Sequence, residues 1–125
     1  MKIRNGFVSN SSSSSFCLYG YHVNDNEEFI EEIKNYIDSD KLNEIVYDEY
    51  YIDSYSLESY IKDDMISVIS DYDDDIFIGV NNISIPEDMT LIQIKDYIIS
   101  VINNKLGINI EKRKICWHED CWMDN

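Results

Sequence analysis

The run from Thr90 to Gly107 constrains the fold of this chain more than any other segment. Thr90-Leu-Ile-Gln93 forms a capping box, in which the threonine hydroxyl accepts from the amide three residues on and the glutamine side chain returns to the threonine amide. Leu91, Ile94, Tyr97, Ile98, Val101 and Ile102 then recur at the three-and-four spacing of one helix face. Gly107 stands where a left-handed residue ends a helix. A helix with one apolar stripe must cover another surface, and β-prone segments elsewhere in the chain are the natural source of one.

Those segments are readable. Phe16 to Val23 is aromatic and apolar and of strand length, with Phe16 and Leu18 pointing one way and Cys17, Tyr19 and Tyr21 the other. Met65 to Tyr72 alternates, Asp73 and Asp74 follow, and Asp75 to Val80 is β-prone again, which reads as a hairpin. Ile108 to His118 reads as a last strand carrying the basic trio Lys112, Arg113 and Lys114, which either balances the acidic helices or protects a sheet edge. Between the first strand and the hairpin, Asp25 and Glu28 open an amphipathic helix over about 26 to 38, with Phe29, Ile30, Ile33, Tyr36 and Ile37 on its apolar face. Leu42, Ile45 and Val46 continue a helical pattern, and Leu57, Tyr60 and Ile61 fit a second short helix. Tyr36, Tyr60 and Tyr97 occupy apolar stripes and are expected in the core.

The order is therefore strand, helical segment, strand, strand, helix, strand. With right-handed crossovers around the hairpin this is an α+β, ferredoxin-like sandwich: a four-stranded antiparallel sheet with helices on one face, first and last strands adjacent. At 125 residues, of which 44% are hydrophobic, the chain is expected to be a single domain, 1–125, with a real core.

Ahead of the first strand lies a serine-rich segment, 1–15. It opens Met1-Lys-Ile-Arg-Asn-Gly-Phe-Val-Ser-Asn and continues through five serines to Phe16. A serine run ordinarily reads as a linker, but only about ten residues precede it. Phe7, Val8 and Phe16 prefer burial, so the expectation is an ordered segment anchored by Phe7 and Phe16, with Ser9, Asn10, Ser11, Ser12, Ser13, Ser14 and Ser15 in an irregular loop. The string GFVSNSSSSSF after Met-Lys-x-Arg resembles the opening of a group of small proteins of bacteriophages and their bacterial hosts. That resemblance implies a phage or mobile-element origin and no catalytic residues; the expected loop itself would serve as a recognition tag, for packaging or processing.

Net charge is −15, from 25 acidic and 10 basic residues, which opposes direct binding to a nucleic-acid backbone or an anionic membrane. No apolar stretch approaches the roughly 20 residues of a membrane span, and no apolar stretch follows the basic start, as a signal peptide would require. The charge serves solubility, or it serves a partner, either a basic protein surface or cations. Tyr47, Asp48, Glu49, Tyr50, Tyr51, Asp53 and Tyr55 concentrate tyrosine among carboxylates in an exposed loop or irregular helix end, a pattern suited to binding a basic protein and to imitating a nucleic-acid strand.

Three cysteines are too few for a disulfide framework, so a reducing cytoplasm with free thiols is expected. Cys116, His118 and Cys121 have zinc-ligand character, with Cys17 or His22 able to complete four ligands; the alternative is thiols packed beside Trp117 and Trp122, and no cofactor. Glu119, Asp120 and Asp124 would raise a thiol pKa there, against nucleophilic catalysis. No glycine-rich phosphate loop is present. The reading is a non-enzymatic binding protein.

Overall fold

In the computed structural model, residues 17–48, 51–70, 75–81 and 85–117 are described here. They form an α+β fold with four helices and a four-stranded antiparallel sheet. Strands β1 (Cys17–Val23), β2 (Ile66–Ser70), β3 (Ile76–Asn81) and β4 (Ile115–Trp117) lie in the order β2-β3-β1-β4, which fits the ferredoxin-like arrangement. The hairpin strands pair from Ile66 opposite Val80 to Ser70 opposite Ile76. β1 lies between β3 and β4 and is antiparallel to both.

The first crossover holds three short helices, α1 (Asn26–Ile33), α2 (Ser39–Ile45) and α3 (Ser54–Ile61); the second holds α4 (Leu91–Leu106). All four bury residues in one cluster with Val23, Ile66, Val68, Ile76, Ile78, Val80 and Ile115 of the sheet. Phe77, the next residue on β3, points the other way and packs beside Ile69 and Cys116. Period-two alternation thus separates a helix-covered face from a second face.

Local chemistry sets the helix ends. The capping box of α4 is present in full: the Gln93 amide donates to Thr90 Oγ1 at 3.2 Å and the Thr90 amide to Gln93 Oε1 at 2.8 Å. Replacing Thr90 with Ala removes one acceptor from the first turn and is expected to cost about 1 kcal/mol, read from the urea midpoint. α1 stops at Ile33, short of the expected 38, because the Tyr36 amide bonds to the Ile33 carbonyl and tightens the chain into a turn. That turn sends Ile37 into the core and leaves Tyr36 outside, 55% exposed. Tyr36 instead donates from its hydroxyl to the Asn104 carbonyl at 2.9 Å. Its ring lies where a side chain on Gly107 would project, and Gly107 has φ 75°.

The last strand is shorter than expected. After Gly107 the chain joins no strand ladder, burying Ile108 and Ile110, and then makes a 3-10 turn at Lys112–Lys114 before β4. The basic trio is therefore in that turn, not on a strand. Lys112 pairs with Asp96 of α4 at 3.0 Å and Arg113 with Glu111 at 2.7 Å. At the opposite edge of the sheet, the Val68 amide of β2 donates to a Glu58 carboxylate oxygen on α3 at 2.8 Å.

Candidate functional site

The acidic tyrosine segment sits at the α2–α3 corner. Val46 and Ile52 form an isolated antiparallel bridge across its base. Ile45 and Ile52, both nearly fully buried, hold that base in the core. The Tyr47 amide bonds to the Tyr51 carbonyl at 3.0 Å, and the Tyr51 amide donates to Asp48 Oδ1 at 3.0 Å. The corner is thereby built from both ends, and its side chains are displayed on a fixed base.

Tyr47 and Tyr51 stack, with ring centroids 5.1 Å apart and planes 11° from parallel. They are 65% and 37% exposed, and Tyr55, in the first turn of α3, is 78% exposed. Such rings offer rigid area that loses little entropy on contact. Asp48 stands between them in sequence and is exposed. Asp53 differs from its neighbours: it is half-buried and accepts from the Ser56 hydroxyl at 2.6 Å, so it organises the start of α3. Glu49 and Tyr50 lie outside the described residues, as do Ser9 to Ser15, Phe7 and Phe16, and the candidate metal ligands His118 and Cys121.

A second acidic feature was not anticipated from the sequence. Tyr21 of β1, Asp25, and Glu28 and Glu32 of α1 line a polar cleft of about 230 Å³ with Lys114 at its side. Burial first, then the charges of Glu32 and Glu28, raise the Tyr21 pKa above its ordinary value. The signal available in the sequence was the four-residue spacing of Glu28 and Glu32, which puts both on one side of a helix.

Tyr97, expected in the core, is only partly buried against it. Its hydroxyl donates to the Asp63 carboxylate, 2.8 Å from each oxygen. Burial first, then that hydrogen bond and the Asp63 charge, push its pKa up to about 12. A tyrosine whose folded pKa exceeds its unfolded value near 10 stabilises the fold fully below pH 10. That contribution is lost as pH rises from about 10 through about 12. Tyr97→Phe is expected to remove this component, seen as a flatter alkaline limb of stability and one fewer late-titrating tyrosinate.

Cys116 is disulfide-bonded, so it is not the free thiol expected, and its sulfur is not available as a thiolate ligand in this state. His22, one of the two residues expected to complete the ligand set beside Cys17, is 6% exposed on β1 with Nε2 3.5 Å from an Asp75 oxygen. Among the described residues, no three His, Cys, Asp or Glu side chains are grouped to hold a metal. Among the same residues no helix is long and apolar enough to cross a membrane.

The chain matches no protein-family model, no curated protein and no solved structure.

Proposed function

We propose that this chain is a non-catalytic binding protein that engages a basic protein surface through Tyr47, Asp48, Tyr51 and Tyr55. One observation carries the reading: the stacked Tyr47–Tyr51 pair is exposed on a corner whose base is pinned in the core. Stacking two tyrosines in solvent gives little to stability, whereas a flat pair of rings beside a carboxylate suits a guanidinium-bearing partner. The net charge of −15 attracts such a partner over distance and speeds encounter. A basic partner surface of this kind is commonly a nucleic-acid groove, so occupying it would make the protein an inhibitor that acts as a nucleic-acid mimic. On this reading it acts in the cytoplasm of a phage-bearing host, with the serine segment as a separate tag.

The test is calorimetric titration with an arginine-rich peptide at two salt concentrations. Binding is expected to weaken as salt rises, and Tyr47→Ala with Tyr51→Ala is expected to weaken it a further ~10-fold or more, the range of an aromatic hot spot. Binding that is insensitive to both salt and the double substitution contradicts the reading. The zinc reading requires Cys116 in its reduced form; elemental analysis of reduced protein, with Cys116→Ser beside it, decides that case.

A further inference from the structure

Tyr47 and Tyr51 bring together two oxidisable phenols as well as two flat surfaces. Their ring centroids lie 5.1 Å apart, with planes 11° from parallel. The backbone beneath keeps them there. Val46 and Ile52 are bridged, and the residues one step further out, Tyr47 and Tyr51, are joined amide to carbonyl at 3.0 Å. Ile45 and Ile52 tie that contact to the core. Both side chains therefore leave the chain from opposed positions, as cross-strand neighbours do.

Two intact phenols do not react with each other. A phenol that loses one electron and its hydroxyl proton becomes a radical, with unpaired density on the oxygen and on the ring carbons ortho to it. Two such rings held in contact join through those carbons before either meets a ring elsewhere, because the encounter is already made. Access is also provided: Tyr47 is 65% exposed and Tyr51 37%, so an oxidant reaches the pair from solvent. Tyr55 is more open, at 78%, yet among the described residues no ring stacks on it. A charge of −15 on every copy keeps molecules apart and favours coupling within one chain over coupling between two.

We propose that Tyr47 and Tyr51 are a dityrosine site, where a one-electron oxidant of the peroxidase class joins the two rings covalently across the corner. Each phenol gives up one electron and one proton. A carbon–carbon bond forms between the two ortho positions, and each ring then passes its ortho hydrogen to its oxygen, which restores both hydroxyls. One hydrogen peroxide takes up the two electrons and two protons and leaves as two waters. The product is the same chain less two hydrogens. The step needs no partner protein, so it stands apart from the binding reading.

The test treats the intact protein with peroxidase and hydrogen peroxide and follows dityrosine fluorescence. The signal is expected in the monomer band of a denaturing gel, at a rate per molecule unchanged by dilution. Mass spectrometry is expected to find the peptide holding Tyr47 and Tyr51 lighter by two hydrogens, with no backbone fragments released between them. Tyr47→Phe and Tyr51→Phe keep the rings but not the phenols, and each is expected to lower the yield about tenfold or more. Tyr55→Phe and Tyr50→Phe are expected to retain most of it. The proposal is wrong if no fluorescence develops in the monomer, or if the signal lies in dimers and grows with concentration. It is equally wrong if Tyr51→Phe couples as the parent does, or if Tyr50→Phe or Tyr55→Phe abolishes the signal.

Discussion

Gly79→Ala is expected to destabilise the protein by about 3 kcal/mol or more, because the added methyl has nowhere to go. Its Cβ would run into the Tyr19 carbonyl and lie 2.9 Å from the Gly20 Cα. Both are backbone atoms of the central strand β1, so no side-chain rotation relieves the overlap. The strands would have to separate where β1 and β3 exchange their ladder. Gly20→Ala meets the same obstacle from the other side, with the Gly79 Cα 2.6 Å away and the Ile78 carbonyl nearer still. Urea unfolding measures the loss, with Ser100→Ala on the exposed side of α4 as a control expected within ~0.5 kcal/mol of the parent. A Gly79→Ala midpoint equal to the parent's shows that the strands do not approach as described.

Phe77→Ala is expected to cost about 4 kcal/mol, the range for emptying a fully buried phenyl site. The figure discriminates because the residue is on the face opposite the helices. A phenylalanine on a bare sheet face would already be solvated, and trimming it would cost under ~1 kcal/mol. At 0% exposure beside Ile69 and Cys116, it behaves as core. Phe77→Leu, which keeps most of the volume, is expected to lose less than half as much. A denaturant series on the three proteins settles whether this second face contributes to stability, whatever its cover consists of.

The contrast between these residues explains which parts of the fold were legible in sequence. α4 was readable because its signals are local: a threonine and glutamine three residues apart, a stripe of six apolar residues, and a glycine at the end. The hairpin was readable because Ile66, Val68, Ile76, Ile78 and Val80 alternate on one face. The long last strand was misread because Ile108 and Ile110 alternate with polar residues equally well in a segment that packs without joining a strand ladder. Tyr36 was misread because its fate depends on a turn at Ile33 and on Asn104, 68 residues away. At the candidate site, three acids and four tyrosines in a short stretch marked an exposed surface. The stacking of Tyr47 on Tyr51 was hidden, since the two rings flank the Val46–Ile52 bridge, a pairing the sequence does not announce. The cleft at Tyr21 escaped notice because it joins a strand to a helix. Cys116 was read as a free thiol from cysteine count alone, which says nothing of how close two sulfurs come.

The carboxylate of Glu58 on the Val68 amide reaches beyond the single molecule. β2 ends the sheet, and a terminal strand is a template on which another chain can lay its own backbone. Here one of the donors a newcomer would need is already taken, and by a charged group. A second copy approaching this border meets an occupied bond and brings further negative charge with it. Concentrated solutions should therefore resist the ordered stacking by which sheets recruit one another into fibres, and the protection comes from a helix that sequence alone assigned only to the core.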